Sequence, residues 1–503
     1  MTQTSVRALM SLPGALRLVG SARAEDVLVK GLASDSRRVM PGDAFAALSG
    51  RSVDGTKFVA QAIQRGAVAV LAERELEASV PVLVIDNLRQ RLGTFAQCVY
   101  GDPTRTMPTI GVTGTNGKTT VTHLLESILL AAGKAPALMG TVTMRGPRGE
   151  EVAELTTQES DRIARFASES RAAGATHLVL EVSSVALTER RVAGMHFAVA
   201  AFTNLSHDHL DYHGTFEAYG EEKARLFTEY RPEASVIVVD AEFGAKLAQR
   251  ASGRVIRCST TGADAELRVR NFSSTRTGLS AELDTPAGTY TLRSPLFGAH
   301  NLENLLVAIG CAIAVGIDVT TILQALATAT GAPGRMERVA DPRGVLVLVD
   351  YAHSPDAIER ALAALRPLTD GRLMIVFGCG GDRDRQKRAP MAEAAVAGAD
   401  LAILTADNPR TEDVHQILSD MEPGAARHAP KLDGAAMATA ARGYAVVPDR
   451  AQAIAAALKA AQAGDTVLLA GKGHETYQLV GNTRYAFDDR IQAARALSNL
   501  GGS

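Results

Sequence analysis

The sequence predicts an α/β protein of three domains whose sheets are mostly parallel. Three observations predict it: the length, the alternation of short apolar runs with helical patterns, and a glycine-rich loop between a strand and a helix. The chain has 503 residues, and at about 150 residues per domain this length suggests three domains. Strands that alternate with helices favour a parallel, doubly wound sheet.

Residues 1–105 are predicted to form a small α/β domain that begins with a helix. Strand-like apolar runs cover residues 44–48, 67–71 and 80–85. The run Gly101-Asp102-Pro103 then breaks the pattern, and we place a domain boundary there.

Residues 106–333 form the second predicted domain. An apolar strand at 109–113 runs into a glycine-rich loop, and a helical pattern follows at 119–132. Strand and helix patterns then alternate past residue 320. Gly331-Ala332-Pro333-Gly334 is predicted to be a linker, and residues 334–503 form a third domain of short apolar strands and Ala-rich helices.

Composition and charge narrow the classes of function. Lys and Arg number 53, Asp and Glu number 55, and the formal net charge is -2. A net charge this close to zero gives no electrostatic attraction to nucleic acid or to a membrane surface. Trp is absent and aromatic residues make up 4% of the chain, so no base-stacking surface is indicated. We expect small-molecule partners, no nucleic acid and no membrane.

Four cysteines are scattered along the chain, at Cys98, Cys258, Cys311 and Cys379. None forms a Cys-x-x-Cys pair, so neither a disulfide framework nor a thiolate zinc site is indicated. The longest uncharged apolar run covers residues 305–317, which is shorter than the ~20 residues of a membrane helix. We expect free thiols in a monomer that lies in the reducing cytoplasm.

The loop Gly114-Thr115-Asn116-Gly117-Lys118-Thr119-Thr120 carries the clearest chemical signal. Glycines let backbone N–H groups approach phosphate oxygens, the helix N-terminus adds a partial positive charge, and Lys118 adds a full one. Thr119 offers a hydroxyl to Mg²⁺. A strict P-loop has glycine where this chain has Val112, so the loop is a variant. It predicts a nucleotide-phosphate site without specifying the reaction.

This variant loop resembles that of the Mur ligases and of folylpolyglutamate synthase. Further segments resemble the Mur ligases in order and spacing: DSRRVMPGDAF at 35–45, EVSS at 181–184, TNLSHDHLDYHG at 203–214, YGEEKARLF at 219–227, GAHNLENLL at 298–306, GRMERV at 334–339, DYAHSPDA at 350–357, FGCGGDRDRQKR at 377–388, DNPRTED at 407–413 and GKGHETYQ at 471–478. The resemblance implies an N-terminal domain for a UDP-sugar, a central P-loop-type ATPase domain, and a C-terminal Rossmann-like domain for an amino acid. It also implies an ATP- and Mg²⁺-dependent amide ligase that adds meso-diaminopimelate to UDP-N-acetylmuramoyl-L-alanyl-D-glutamate through an acyl phosphate.

The resemblance implies a set of catalytic residues: Lys118, Glu181, His209, Lys223 and Arg335. Four residues would hold Mg²⁺: Thr119, Glu181, His209 and Lys223. Glu181 ends an apolar strand, which is where ligands lie in open α/β sheets. The family's matching lysine is carbamylated, which supplies the oxygen ligand that Mg²⁺ prefers. By spacing alone the histidines and aspartates of 207–213 would also fit zinc, but no thiolate joins them.

The same resemblance implies three sets of binding residues. Beyond the loop, ATP would be contacted by Asn304, Arg335, Asp350 and His353. The UDP-sugar-peptide would be contacted by Ser36, Thr156, Thr157, Ser183, Glu189 and Arg191. The amino acid would be contacted by Arg383, Asp407, Asn408, Arg410, Gly471 and Glu475. The chain departs from the family pattern at Gln158 and Val185, where relatives often have Pro and His.

Arg410 favours diaminopimelate over L-lysine as the amino acid. Diaminopimelate carries a second carboxylate at its far end, and a guanidinium pairs with a carboxylate through two hydrogen bonds. Asp407 or Glu475 would take the distal ammonium. A related ligase that adds L-lysine or acts on another acceptor is the alternative. A dinucleotide site is not supported, because Arg383 stands where the last glycine of GxGxxG is needed.

Overall fold

The fold comes from a computed structural model that describes residues 3–21, 23–50, 54–206, 208, 210–433 and 436–501. Contacts divide the chain into two compact units, of which the first holds 1–272, 280–293 and 300–329, and the second holds 273–279, 294–299 and 330–503. The domain boundary after residue 105 lies inside the first unit and stays a prediction. Among the described residues, no helix has the length and apolar character needed to cross a bilayer.

The N-terminal sheet has five strands among the described residues, of which four run parallel and the first is an antiparallel edge. Across the sheet they lie in the order Ala15–Val19, Val82–Ile85, Ala69–Ala72, Asp43–Ala46 and Gly31–Ala33. The helices of this region are Val6–Met10, Val59–Gln64, Leu88–Val99 and Pro103–Thr106. The predicted first helix and the three predicted strands are confirmed to within two residues.

The central sheet is parallel where it carries the glycine-rich loop. Across the described sheet the strands lie in the order Gly149–Val152, Thr143–Gly146, Pro136–Met139, His177–Glu181, Thr109–Thr113, Val199–Phe202, Ala234–Val238, Arg254–Ser259, Leu267–Thr275, Gly278–Thr285 and Gly288–Ser294. Its helices are Lys118–Ala131, Ser160–Ala172, Ser184–Thr188, Leu210–His213, Phe216–Thr228, Glu242–Arg250, Ala299–Ala314 and Val319–Leu326. Because side chains alternate across a strand, the buried Leu279, Ala281 and Leu283 face one side. The predicted alternation of strands and helices is wrong between residues 254 and 294, because four strands follow one another there without a helix between them.

The C-terminal sheet is Rossmann-like, with five parallel strands and an antiparallel edge among the described residues. The order is Glu337–Val339, Leu346–Asp350, Thr466–Ala470, Leu373–Cys379, Leu401–Ala406 and Gly443–Val446. Its helices are Pro355–Leu365, Arg388–Gly398, Val414–Ala425, Arg450–Ala460 and Asp489–Gly501, and a hairpin pairs Tyr477–Val480 with Thr483–Ala486. Alternate residues of each strand enter separate apolar clusters, which explains the continuous apolar runs in the sequence.

Helix Ser160–Ala172 joins the N-terminal sheet to the central sheet within the first unit. Arg165 Nη2 donates to Asp43 Oδ2 at 2.7 Å, and its Nε donates to Tyr100 Oη at 2.8 Å. Asp43 and Tyr100 are each 2% exposed, so one helix side chain satisfies two buried polar groups of the N-terminal sheet. This contact, with the hydrogen bonds of Ser34 to Asp161 on the same helix, helps to hold the two sheets in one compact unit.

Candidate active site

Two glycines give the phosphate loop its shape. Gly114 has a φ of +145° and Gly117 a φ of +88°, a region that side chains disfavour. An added Cβ would lie 1.9 Å from Thr203 Oγ1 at Gly114, and 2.1 Å from Asn304 Oδ1 at Gly117. The loop therefore needs glycine at both positions, and the predicted ATP contact Asn304 lies directly against it.

Side chains from two other segments brace the loop. The Thr115 N–H donates to the Asn204 carbonyl at 2.8 Å, and the Asn116 N–H donates to Asn204 Oδ1 at 3.0 Å. Tyr219 Oη donates to Thr115 Oγ1 at 3.2 Å. The sequence analysis missed Asn204 and Tyr219, because nothing local marks them as neighbours of the loop. Both lie in segments that match the family, which is the one signal that could have found them.

Two lysines converge on the loop. Lys118 Nζ donates to the carbonyls of Gly114 and Thr115, each at 2.9 Å, and Lys223 Nζ donates to the Gly114 carbonyl at 2.9 Å. Lys223 is 1% exposed. Burial lowers the pKa of Lys223 well below its ordinary value, the charge of Lys118 lowers it further, and Asp208 opposes this. The site therefore concentrates positive charge for phosphate and favours a neutral amine at Lys223.

Glu181 lies beside the start of the loop helix and fits a magnesium site. Its buried carboxylate accepts hydrogen bonds from Thr119 Oγ1 at 3.0 Å, from Thr141 Oγ1 at 3.0 Å and from the Thr141 N–H at 2.8 Å. A carboxylate and hydroxyl groups are the oxygen donors that Mg²⁺ prefers. Thr120 is buried in the first turn of the same helix. His209 lies outside the described residues.

Four residues predicted for the UDP-sugar-peptide connect to the Glu181 strand. Thr157 Oγ1 donates to the Glu181 carbonyl at 2.8 Å and accepts from the Ser183 N–H at 3.0 Å. Arg191 Nη1 donates to the Thr157 carbonyl at 3.1 Å, and Thr156 Oγ1 lies 3.2 Å from Thr141 Oγ1. The predicted substrate residues thus continue from the predicted metal site.

A cavity of about 590 Å³ lies next to Arg191. It is lined by Ser49, Glu73, Asn87, Arg89, Gln90, Glu159, Thr188, Glu189, Arg190 and Arg191. Its volume is in the range of pockets that bind small molecules. Tyr212 Oη donates to Glu189 Oε1 at 2.9 Å. Ser36 does not line the cavity: it is buried, and its hydroxyl donates to Gln61 Oε1 at 2.8 Å.

Three predicted ATP contacts group together in the second unit. The Arg335 guanidinium lies 4.8 Å from the ring centre of Tyr351. His353 Nδ1 lies 2.6 Å from the Tyr351 carbonyl. Asp350 Oδ2 accepts from the Met336 N–H at 2.8 Å, which ties the segment that carries Arg335 to a strand end. Arg335, Asp350 and His353 are therefore held close to one another around Tyr351.

Three predicted amino-acid contacts lie close together beside Gly380. A Cβ added at Gly380 would lie 3.0 Å from Arg410 Nη1, 3.6 Å from Arg383 Cγ and 3.8 Å from Asp407 Oδ2. Arg410 Nη1 also donates to the Gly381 carbonyl at 2.7 Å. Side chains of both charge signs are therefore grouped here, as an amino acid with an ammonium and carboxylates would require.

The other predicted amino-acid contacts meet at a lysine that the sequence analysis missed. Gly471, with a φ of +109°, precedes Lys472. Lys472 Nζ donates to Asn408 Oδ1 at 3.2 Å and to Glu475 Oε2 at 3.0 Å, and Asn408 Nδ2 donates to Glu475 Oε2 at 2.9 Å. The available signal was the position of Lys472 between the predicted contacts Gly471 and Glu475.

Family models match three successive parts of the chain. "Mur ligase family, catalytic domain" matches residues 28–100, "Mur ligase middle domain" matches 112–312, and "Mur ligase, glutamate ligase domain" matches 334–473. Together these matches cover most of the chain and include the glycine-rich loop and the predicted amino-acid contacts except Glu475, which lies two residues beyond the last match.

Relatives are similar to this chain over nearly its full length. The UDP-N-acetylmuramoyl-L-alanyl-D-glutamate–2,6-diaminopimelate ligase of Parasynechococcus marenigrum is 44% identical over 506 residues, which cover 97% of this chain and 99% of the relative. A solved structure of a ligase of that name has a TM-score of 0.72, 33% identity and full coverage of both chains. The MurF ligase of Thermotoga maritima in complex with ADP has a TM-score of 0.63 and 17% identity, over 94% of this chain and 99% of that one. Since family models and a close full-length relative agree, this chain belongs to the Mur ligase family.

Proposed function

We propose that this chain is an ATP-dependent ligase that joins meso-2,6-diaminopimelate to UDP-N-acetylmuramoyl-L-alanyl-D-glutamate in peptidoglycan synthesis. The observation that carries the proposal is the grouping of Arg410, Arg383 and Asp407 beside Gly380. The full-length relative at 44% identity bears the name of this activity. The fold matches a solved ligase of the same name.

The reaction makes an amide in two steps. A carboxylate oxygen of the glutamyl group attacks the γ-phosphorus of ATP, ADP leaves, and an acyl phosphate forms. The amine of diaminopimelate then attacks the acyl carbon, phosphate leaves, and the amine loses a proton. Charge concentrates on the phosphoryl oxygens in the first step, and Lys118 at the loop stabilises that charge.

Mg²⁺, when bound, supplies further positive charge at the phosphates. We propose that Thr119, Glu181, His209 and the carbamate of Lys223 hold Mg²⁺, with the carbamate at a second ion. The direct hydrogen bond between Thr119 Oγ1 and Glu181 supports this grouping, as does the buried position of Lys223 against the loop.

We assign residues 1–105 to the UDP-sugar, 106–333 to ATP and 334–503 to the amino acid. We propose a monomer in the cytoplasm that acts on small molecules. The near-neutral net charge supports the absence of a nucleic-acid or membrane partner. Arg335, Asp350 and His353 then contribute ATP contacts from the third domain.

The test is phosphate release from ATP with the UDP-muramoyl dipeptide and a panel of amino acids. We expect kcat/KM for meso-diaminopimelate to exceed that for L-lysine by at least about tenfold, since roughly 1.4 kcal/mol of differential binding suffices. Equal values would overturn the choice of amino acid. No phosphate release with any amino acid would overturn the ligase assignment.

Arg410→Lys tests the contact that carries the choice. This change keeps the charge but removes the planar pair of donors, so we expect kcat/KM for meso-diaminopimelate to fall by about tenfold or more. Arg427→Lys is the matched control, because Arg427 lies in the same unit, is exposed and pairs with Glu393. It should keep the activity of the wild type.

A further inference from the structure

A buried ammonium lies at the centre of the predicted amino-acid contacts. The side chain of Lys472 is 0% exposed, and Nζ lies 3.0 Å from Glu475 Oε2 and 3.7 Å from Asp407 Oδ1. Asn408 Oδ1 accepts a hydrogen bond from the same Nζ at 3.2 Å. Three residues that the sequence assigns to substrate therefore contact one cation that it did not assign.

The net charge of Asp407, Glu475 and Lys472 together favours the binding of one more cation. Two carboxylates and one ammonium sum to a single negative charge. Asp407 Oδ1 is buried and accepts no hydrogen bond from the described residues. Burial raises the pKa of Asp407 and Lys472 lowers it. The ammonium of a bound amino acid would offset the negative charge of these three groups and give Asp407 Oδ1 a hydrogen-bond donor, whereas Arg383 and Arg410 lie on the side of Asp407 Oδ2.

Other charged or titratable groups face the pair of carboxylates without replacing Lys472. They are Tyr351, Arg383, Arg410, Arg450, His474 and Asp489. Arg450 and Asp489 form an ion pair of 2.6 Å with both side chains fully buried, so they compensate each other. Burial lowers the pKa of His474 to about 4 and raises that of Tyr351, so both are neutral between pH 6 and 9. The two other arginines keep their charge throughout that range.

We propose that Lys472 is a positioning residue that keeps Asp407 and Glu475 ionised together, so that they bind the distal ammonium of the amino acid. This proposal rests on the proposed function. Without Lys472 the two carboxylates repel each other in a buried site and share a proton. The substrate's ammonium then has to displace that proton before it can bind.

Calorimetry tests this directly as a count of protons. meso-Diaminopimelate is titrated into the full-length protein, saturated with the UDP-muramoyl dipeptide and a non-hydrolysable ATP analogue, in buffers of different ionisation enthalpy. At pH 7 we expect no proton release by the wild type. Lys472→Met should release up to about one proton and bind at least about tenfold more weakly, since one pKa unit is a factor of ten. At pH 9 the difference in affinity should shrink.

The controls separate charge from folding and from the choice of substrate. Arg372→Met removes another largely buried cation of the same unit, which pairs with Asp465 at 2.9 Å; it should leave affinity and proton count unchanged. Should Lys472→Met not fold, Lys472→Gln keeps a hydrogen-bond donor and should show the same proton release. Should the wild type bind L-lysine instead, the proposed function fails and the same titration is run with L-lysine. Unchanged affinity, or weaker binding without proton release from pH 6 to 9, overturns the role of Lys472.

Discussion

At the scale of the residue, the phosphate loop places two ammonium groups on one carbonyl oxygen. Lys118 Nζ and Lys223 Nζ each lie 2.9 Å from the oxygen of Gly114. Two like charges this close are unfavourable in a buried site unless an anion joins them or one is discharged. Phosphate bound at Lys118 and a carbamate formed on Lys223 would each relieve the repulsion.

Lys223→Ala tests the carbamate. We expect activity to fall about 100-fold, the scale of losing one group that stabilises transition-state charge, and to recover in part with added acetate. A carbamate signal in the ¹³C NMR spectrum, after addition of ¹³C-bicarbonate, should be present in the wild type and absent from the variant. Lys246→Ala, at an exposed lysine paired with Glu242, is the control. Full activity of Lys223→Ala would refute the metal role.

Site residues in contiguous motifs were predictable, whereas those defined by burial were not. The loop of 114–120 can be recognised in the sequence because its glycine, lysine and threonine residues have fixed spacings. Lys472 does not, since a lysine in a sequence is ordinarily a solvated charge and only the folded chain shows it fully buried. Asn204 and Tyr219 were also missed, because their contacts with the loop join segments that are far apart in the chain.

At the scale of the element, strands buried on both faces were predictable and those with one solvated face were not. Thr109–Thr113 and Leu401–Ala406 are buried throughout, so their apolar runs predicted them closely. Gly278–Thr285 and Gly288–Ser294 expose alternate residues. Their sequence signal is an alternation of apolar and polar residues with period two. The prediction relied on continuous apolar runs and therefore did not include these strands.

The loop helix depends on a glycine that no side chain can replace. In Gly117→Ala the methyl group would lie 2.1 Å from Asn304 Oδ1 at a φ of +88°. We expect KM for ATP to rise at least about tenfold, because a displacement of the loop by even a fraction of an ångström weakens several N–H contacts to phosphate at once. The measurement is initial rate against ATP concentration.

Gly133→Ala separates strain from local geometry. Gly133 follows the same helix with a φ of +69°, and a Cβ there meets nothing within 4 Å. Both variants should lose about 1–2 kcal/mol of stability from the left-handed backbone, but Gly133→Ala should keep the wild-type KM for ATP. Equal KM values in the two variants would contradict the proposed role of Gly117.

At the scale of the whole molecule, the two compact units do not follow the three domains that the sequence predicts. Residues on either side of position 105 share the first unit. The turn residues Gly101-Asp102-Pro103 lie there, but a buried ion pair that joins the two sides is made by Arg165, 60 residues beyond the boundary, with Asp43. A boundary can be read from turn residues, whereas the strength of coupling across it depends on side chains that pair in space.

Arg165→Met measures that coupling. Removing the guanidinium leaves the buried carboxylate of Asp43 without its charged partner, and we expect a loss of about 3 kcal/mol, near the lower end for a broken buried pair. Hydrogen exchange of strand Asp43–Ala46, followed by mass spectrometry, should accelerate accordingly. Arg162→Met, on the same helix, loses only pairs with exposed carboxylates and should cost less than about 1 kcal/mol. Equal acceleration in both variants would contradict the coupling.

Helix Ser160–Ala172 also sets an order of events during synthesis. The N-terminal sheet leaves the ribosome first, yet the guanidinium that pairs with its buried Asp43 belongs to a helix translated later. At ~5–20 residues per second, the roughly 70 residues from position 105 to the end of this helix take about 4–14 s to make. During that interval Asp43 keeps its hydrogen bond from the Met40 N–H but lacks its guanidinium partner, so we expect the last contacts of this sheet to form after the chain that follows it.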